Sequence, residues 1–491
     1  MRANVKSSDK QQTEKLVHLP YELMQFVQRN TYSLLIKGYA GTGKTTLSLS
    51  ILGALRIKKN FFYISTRLSP KQLFLYYPWL GKFIGRSKEA ESDEMSSQGY
   101  NLSSFEDARL DEPESLFERI TNQLMDVKAP IIIIDSWDAI ASFMDKEARL
   151  NNERVLQTWR ERAGAKLIFI SEDPKDTTLD FLVDGIIELG RRFYENIGIR
   201  EMLLLKLRGI MINRPSYIYS LNNGIFRSFD PFKPGGYALG VNSDLSHKRI
   251  QRSVLLSSEK PYITTGYKEL DLVLGGGFPR KGIVFLETDP HINAKLILAF
   301  LAKIMSNFVA SSNPVLFQPF AGISYKLVAE YLKPYLSAEP ESGLIKVVNH
   351  SPKFKRVDYD TSLCYDQDNF EKQFKTFHDM LIETRQQFPN KLLLNVMGID
   401  MFQKQKNNRQ FDRMESISLI KENIDLSLIV SMQSQNPIGL ELVSDLIDIH
   451  LRFIIINGTI FLQSLVPWDH LCAILIDRMF GYPQIQLEPV V

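Results

Sequence analysis

The feature that most constrains this chain is an octet at residues 38–45, Gly-Tyr-Ala-Gly-Thr-Gly-Lys-Thr, which fits the pattern G-x-x-x-x-G-K-[ST] at every fixed position. An apolar run, Tyr32–Lys37, leads into the octet, and a helix-favouring run, Thr45–Leu55, leads out of it. Glycines let backbone amides turn toward a phosphate without a Cβ in the way, and a helix N-terminus adds a positive dipole end. The octet therefore predicts a phosphate-binding loop between a buried strand and a helix.

Two side chains of this loop and one distant carboxylate have separate tasks. Lys44 is expected to reach the β- and γ-phosphates, and Thr45 to offer its hydroxyl to Mg²⁺. Asp135 ends the apolar run Ile131–Ile134 and is the strand-end acid that such a metal needs. We therefore expect ATP with Mg²⁺, and Thr45 and Asp135 as the metal site. The predicted nucleotide-binding residues are Gly38, Tyr39, Ala40, Gly41, Thr42, Gly43, Lys44, Thr45, Thr46 and Asp135.

The fold class follows from how the apolar residues are spaced. Short β-branched runs alternate with longer amphipathic segments, which is typical of α/β layering around mostly parallel sheets. The order of strand, loop and helix begins again after a segment rich in Pro, Gly and Ser. We predict a domain at 1–235, a linker at 236–261 and a second domain, a diverged repeat of the first, at 262–491. Residues 86–113 are polar and are expected to form a solvated insertion.

The predicted strands of the first half are Tyr32–Lys37, Phe61–Ser65, Ile131–Ile134, Leu167–Ser171, Gly185–Leu189, Met202–Arg208 and Ser216–Leu221. Those of the second half are Ile283–Glu287, Val315–Gln318, Leu392–Val396 and Leu426–Met432.

The composition is that of a protein with ordinary cores. Apolar residues make up 44% of the 491 positions, which supports a full core in each domain. A formal charge of +3 gives no case for nucleic-acid binding over the whole surface. The polar N-terminus and the shortness of the apolar runs predict a cytoplasmic protein with no membrane span. The spacing of the histidines does not predict zinc, and Cys364 and Cys472 are expected to be buried thiols.

Several segments resemble KaiC-type ATPases of the RecA superfamily. Ser65–Leu73 is similar to the segment that follows their second strand, and Ile168–Glu172 resembles their fifth strand. Asp184–Leu189 and Leu205–Gly209 are similar to their D-x-I-x-L…K-x-R-G ending, and Thr265–Asp271 resembles their opening motif. The two-domain layout resembles the archaeal GvpD-like branch, named for a gas-vesicle regulator. The resemblance implies two tandem RecA-like domains.

One departure from the family pattern concerns catalysis. Hydrolysing members place paired glutamates after the second strand, where one polarises the attacking water, but this chain has Thr66 and Arg67 there. ATP binding is therefore better supported than ATP turnover, because the expected general base is missing. Asp138 and Glu172 are weak candidates for a substitute base, and a role as helix-cap or surface acids explains them equally well.

Two cations near the family's K-x-R-G ending carry a prediction about assembly. In RecA-type rings, cations at this place cross to the γ-phosphate of the neighbouring subunit, so the resemblance implies that Lys206 and Arg208 act as a trans finger in a homo-oligomer. An alternating strand whose cations face water explains the same residues.

The second half carries an overwritten loop. Thr288 and Asn293 stand where two of the glycines belong, and Ala294 replaces the lysine. We therefore expect that this domain keeps the fold and has lost the nucleotide. The remaining changes are Asp289, which would repel phosphate, Lys295 in place of the hydroxyl residue, and Asn395 near the expected strand-end acid, with Asp400 a few residues on.

Two functional hypotheses follow. The first is a regulatory ATP-binding protein with one intact site, a pseudo-ATPase second domain and a protein partner. The alternative is a recombination or helicase-type ATPase coupled to DNA, for which the polar run Gln403–Arg409 lies where RecA relatives place DNA-facing loops. The replaced glutamates and the near-neutral charge favour the first hypothesis. An autokinase needs a hydroxyl group near the γ-phosphate that the sequence does not place.

Overall fold

A computed structural model describes residues 17–84, 103–109, 113–124, 127–144, 155–156, 158–161, 164–175, 179–232, 261–320, 323–336, 344–347, 370–398, 421–432, 446–478 and 481–491. The chain divides into two compact units, residues 1–230 with 490–491 and residues 231–489. The predicted linker, 236–261, lies almost wholly outside the described residues. Of the helices in the described ranges, none has both the length and the apolar character that a membrane span requires.

The first unit contains one sheet with helices on both faces. Its helices are α1 (Tyr21–Val27), α2 (Lys44–Ala54), α3 (Pro70–Tyr76), α4 (Pro78–Ile84), α5 (Pro113–Leu124) and α6 (Trp137–Ala141). Its strands are β1 (Tyr32–Lys37), β2 (Phe61–Ser65), β3 (Ser103–Asp107), β4 (Ile131–Asp135), β5 (Lys166–Ser171), β6 (Gly185–Tyr194), β7 (Ile197–Leu207), β8 (Ser216–Ser220) and β9 (Arg227–Ser228).

The strand order of this sheet determines where its functional residues meet. Within the described residues the order is β3-β2-β4-β5-β1-β6-β7-β8-β9. The strands from β3 to β6 in this order are parallel, whereas β6 to β9 are antiparallel. Ile170 of β5 is level with Ile36 of β1 on one side and with Asp135 of β4 on the other. Because parallel strands end at the same edge of a sheet, the loop after β1 and the end of β4 lie near each other.

The parallel strands are apolar on both faces because each face is covered. Leu34 and Ile36 belong to one core cluster with residues of α2, whereas Leu35 belongs to a second cluster on the opposite face with Trp137 of α6. Burying each such aliphatic side chain contributes about 1.5–3 kcal/mol, so the two clusters fix β1 in the centre of the sheet.

The second unit repeats this architecture strand for strand. Its main sheet has the order β14-β13-β15-β16-β12-β17-β18-β19-β20 in the described ranges, which is the order of the first sheet with each strand replaced by its counterpart. The prediction of two tandem RecA-like α/β domains, the second a diverged repeat, is confirmed. The helices are α7 (Lys268–Val273), α8 (Ala294–Ala310), α9 (Tyr325–Leu332) and α10 (Phe370–Gln387). The strands are β10 (Tyr262–Ile263), β11 (Phe278–Pro279), β12 (Gly282–Thr288), β13 (Val315–Phe317), β14 (Ile345–Val347), β15 (Leu394–Gly398), β16 (Leu426–Ser431), β17 (Ile449–Ile456), β18 (Thr459–Val466), β19 (His470–Asp477) and β20 (Gln484–Pro489).

Some elements differ from the sequence analysis. Residues 103–107 of the expected solvated insertion form β3, which pairs in parallel with β2. Its only apolar side chain, Phe105, packs against Phe61, Tyr63 and Phe74. Strand pairing and the contacts of this one aromatic ring therefore hold a strand that its polar composition does not predict. The antiparallel strands β18–β20 were not predicted either, although they are the counterparts of β7–β9. Asp400, Cys364 and the run 403–409 lie outside the described residues.

Candidate nucleotide-binding site

The loop between β1 and α2 has the backbone conformation that a phosphate cradle requires. Gly38 has φ +153° and Gly43 has φ +93°, values that L side chains rarely adopt. A Cβ on Gly38 would overlap the carbonyl oxygen of Leu189, and a Cβ on Gly43 would come within 2.6 Å of the Leu221 side chain. Gly43 is the N-cap residue of α2 and has no side chain that could accept a hydrogen bond from the first amides of that helix.

Lys44 is buried at the first position of α2. Its Nζ donates hydrogen bonds to the carbonyl oxygens of Gly38, at 2.7 Å, and Tyr39, at 3.0 Å. Burial lowers the pKa of the Lys44 ammonium, and the carboxylates of Glu172 and Asp135 oppose that shift. The cation is therefore folded back over the loop, where it can exchange two neutral carbonyl acceptors for phosphate oxygens.

Thr45 and Asp135 meet as the motif predicts. Thr45 Oγ1 donates to Asp135 Oδ2 at 2.6 Å, and the hydroxyl of the fully buried Tyr63 donates to the same oxygen at 2.5 Å. Burial, followed by the Asp135 charge, raises the pKa of Tyr63 well above its usual value, so the phenol stays a donor. A hydroxyl and a carboxylate are hard oxygen ligands of the kind that Mg²⁺ prefers, and these residues fit that ion.

Tyrosines from two other elements support the loop. Tyr219 OH donates to the Thr42 carbonyl oxygen at 2.5 Å, and Tyr77 OH lies 3.2 Å from Thr46 Oγ1. Burial raises the pKa of both phenols, which keeps both protonated at neutral pH. None of these three tyrosines, Tyr63, Tyr77 and Tyr219, belongs to the phosphate-loop motif.

The acids considered as substitute bases lie beside the loop but already have partners. Glu172 forms an ion pair with Arg67, and its backbone N–H donates to Asp138 Oδ2. Thr66 fixes the end of β4, since its N–H donates to the Asp135 carbonyl at 2.7 Å and its hydroxyl accepts from Ser136 N at 2.9 Å. Of the two residues that replace the family's glutamates, Arg67 therefore pairs with the candidate base Glu172, and Thr66 is hydrogen-bonded to the end of β4, the strand that carries Asp135.

Lys206 lies in β7 opposite Ile186, which is level with Leu35 in the middle of β1, and Arg208 follows β7 near the start of β1. β7 is antiparallel to β6, so its last residues lie away from the phosphate loop. Lys206 Nζ donates to the Asp180 carbonyl at 2.9 Å, and Arg208 forms an ion pair with Asp184 at 3.1 Å. Neither cation reaches the loop of its own chain, and a role in trans stays a prediction.

Two arginines that the sequence analysis missed do reach the loop. Arg191 Nη2 and Arg200 Nη1 each donate to the carbonyl oxygen of Gly41 at 2.8 Å. They come from β6 and β7, which continue past the end of β1. The predicted strand, Gly185–Leu189, ended before Arg191, whereas β6 continues to Tyr194. Adjacent strand residues point to opposite faces, so a strand through Arg191 and Arg192 places one arginine on each face. Which of the two meets the loop depends on which strands are neighbours.

The second unit has a loop at 289–293, one residue shorter than the loop at 38–43, and its side chains bond its own backbone amides. β12 and α8 frame it as β1 and α2 frame the first loop, with Thr288 in the place of Gly38 and Ala294 in the place of Lys44. Asn293 Oδ1 caps α8 by accepting from Lys295 N at 2.9 Å, and Asp289 Oδ1 accepts from His291 N at 2.9 Å. Side chains of the loop thus occupy amides that a phosphate would need.

Among the described residues of the second unit, no acid stands at the position that corresponds to Asp135. Gly398 of β15 is level with Val430 of β16, as Asp135 is level with Ile170 of β5 in the first unit. Asn395, which the sequence analysis placed near the expected acid, lies three positions earlier in β15 and is fully buried. At the end of β15, the position of the metal-site carboxylate is therefore a glycine.

Comparison with known proteins agrees with the geometry of the first unit. The family model described as "GvpD gas vesicle protein, P-loop domain" matches residues 23–206. Protein GvpD2 of Halobacterium salinarum is 24% identical over 320 residues, covering 62% of this chain and 62% of that protein. Protein GvpD1 of the same organism is 25% identical over 341 residues, covering 66% of this chain and 60% of that protein. The chain thus matches about three fifths of the length of these relatives.

Proposed function

We propose that this chain, which belongs through its first unit to the GvpD-like P-loop family, is a regulatory protein that binds one ATP with Mg²⁺. In this proposal the first unit responds to the nucleotide, and the second unit is a pseudo-ATPase domain that binds none. The nucleotide state is passed to a protein partner. The match of residues 23–206 to a P-loop domain supports nucleotide binding by the first unit.

The observation that carries the proposal is the contact of Thr45 Oγ1 with Asp135 Oδ2 at 2.6 Å, beside the buried Lys44. The Thr45 hydroxyl, the Asp135 carboxylate and the Lys44 ammonium thus lie at one end of the loop. The glycines of this loop have no side chains that could bond its amides. These are the groups that hold the phosphates and the metal in P-loop proteins.

Support for a single site comes from the second loop. There, Asn293 and Asp289 take up backbone N–H groups, and Thr288 Oγ1 donates to the Ser431 carbonyl at 3.1 Å. Gly398 stands at the position of the metal-site acid. A nucleotide would have to displace these bonds without gaining a lysine contact from Ala294.

Slow turnover is part of the proposal. Arg67 holds Glu172 in an ion pair, and Asp138 accepts the Glu172 N–H, so neither carboxylate is poised to take a proton from water. A missing general base costs about 10²–10⁴-fold in rate. A protein that binds ATP and hydrolyses it slowly suits a regulatory role better than that of a DNA-coupled motor.

Calorimetric titration of the full chain with ATP and Mg²⁺ tests this function, with turnover measured on the same preparation. We expect one site per chain and a turnover well below about 1 s⁻¹, the low end for typical enzymes. Two sites per chain would contradict the pseudo-ATPase unit. Fast turnover, or turnover that DNA stimulates, would favour the DNA-dependent ATPase instead.

A further inference from the structure

The two arginines beside the phosphate loop face each other directly. Arg191 in β6 and Arg200 in β7 are register partners in an antiparallel pair. Like charges directly opposite each other on one face of such a pair are destabilising. The cost is increased here because Arg200 is partly buried, and burial and the Arg191 charge lower its pKa. A pair of this kind needs a compensating anion.

The acceptors that the structure gives this pair are main-chain oxygens and not the carboxylate of an Asp or Glu side chain. Both guanidiniums share the Gly41 carbonyl oxygen. Arg200 Nε also donates at 2.9 Å to an oxygen of the last residue, Val491, whereas Arg191 has no such second acceptor among the described residues. Among the described residues, no carboxylate side chain forms an ion pair with either of them. The neighbouring Arg192 differs, because it lies on the other face of β6 and pairs with Glu201 at 3.2 Å.

The position of the pair indicates which anion it serves. Gly41 belongs to the phosphate loop, and a Cβ at that residue would lie 3.2 Å from Arg191 Nη2, so the glycine leaves room for the guanidinium. β6 extends three residues, or roughly 10 Å, past the level of Lys37 before it reaches Arg191. A planar guanidinium binds phosphate through two parallel hydrogen bonds and stays charged when partly buried.

We propose that Arg191 and Arg200 form a second phosphate-binding element of this site, in which both guanidiniums move from the Gly41 carbonyl to the polyphosphate of the bound nucleotide. The proposal rests on the proposed function of the first unit. It assigns to the chain's own β6–β7 hairpin cations that contact the nucleotide in cis, separately from any role of Lys206 and Arg208 in trans.

The test compares wild type, the double variant Arg191→Gln/Arg200→Gln, the double lysine variant and the control Arg192→Gln. Glutamine keeps an N–H donor for Gly41 and removes the charge. We expect the double glutamine variant to bind ATP about ten- to a hundredfold more weakly, since hydrogen bonds to charged groups are the strong ones. Lysine should restore part of the affinity, and Arg192→Gln should stay within twofold of wild type.

A second readout separates phosphate binding from a structural role. Without ligand, the double glutamine variant should unfold at the wild-type temperature or above it, because a repulsion has been removed. The rise in that temperature on adding ATP should shrink. A clear drop in the ligand-free unfolding temperature would overturn the proposal, since the arginines would then be supports of the loop.

Titration with inorganic tripolyphosphate in parallel with ATP distinguishes the two ways of failing. If wild type binds neither ligand, the proposed function and this inference both fall. If wild type binds ATP and the double glutamine variant binds it within twofold as tightly, only the arginine pair is overturned. Weakening of both ligands in the double glutamine variant supports contact with the phosphates.

Discussion

The two units have one strand order and two different loops, and the difference shows which residues carry the fold and which carry the site. In both units the central strand is buried on both faces and leads into a loop and then a helix. Gly38 and Gly43 have no side chain that could bond the amides of the first loop, whereas Asn293 and Asp289 accept hydrogen bonds from backbone N–H groups of the second. The glycine and polar residues of the loop therefore decide whether a ligand can bind. The apolar strands form the same sheet in both units although these loop residues differ.

The largest effect that tests this comparison is expected from the loop lysine. Lys44→Ala should abolish detectable ATP binding, because Lys44 is the buried cation of the loop and no other side chain of the octet carries positive charge. Lys295→Ala, at the helix start of the second unit, should leave affinity and stoichiometry unchanged. Calorimetry on both variants measures the difference. Retained binding in Lys44→Ala, or loss in Lys295→Ala, would reverse the assignment of the two units.

A smaller effect is expected from the metal-site acid. Asp135→Asn should weaken ATP binding about ten- to a hundredfold in Mg²⁺ and by much less in EDTA, because the amide is a poor replacement for an anionic ligand near the metal. Asp138→Asn is the matched control, since Asp138 lies on α6 and accepts a backbone N–H. Affinities with and without Mg²⁺ give the answer. Equal losses under both conditions would mean that Asp135 acts through the fold and not through the metal.

Next comes the stability of the loops themselves. Gly38→Ala should lower the free energy of unfolding of the first unit by about 1–3 kcal/mol, because φ is positive and a Cβ meets the Leu189 carbonyl. Thr288→Gly, the reverse change in the second unit, loses one buried hydrogen bond and should cost about 1 kcal/mol. Thermal melts followed by circular dichroism compare them. If Gly38→Ala were neutral, the strained loop geometry would not be the conformation in solution.

The sequence predicts more of the fold than of the site's surroundings, for physical reasons. Buried parallel strands such as Ile131–Asp135 are continuous apolar runs, and the loop motif combines rare residues at fixed spacing, so both are readable locally. Arg191 and Tyr63 are not readable in this way, because their roles depend on which strands become neighbours. The edge strand β3 was not predicted because its stability comes from its pairing with β2 and not from its own composition.

The smallest and last effect concerns assembly. Arg208 is 65% exposed and shares Asp184 with Arg160, so removing it leaves that carboxylate paired and should change stability by less than about 1 kcal/mol. Any larger consequence must then come from another molecule. If Arg208 contacts the phosphate of a neighbouring chain, ATP joins two surfaces, and linkage requires that assembly tighten ATP binding by the same factor. Light scattering should show a higher mass for wild type with ATP and Mg²⁺ than without, and no such increase for Arg208→Ala. An identical monomeric mass in all four samples would leave Arg208 as a solvated residue after β7 and restrict nucleotide contacts to the first unit of one chain.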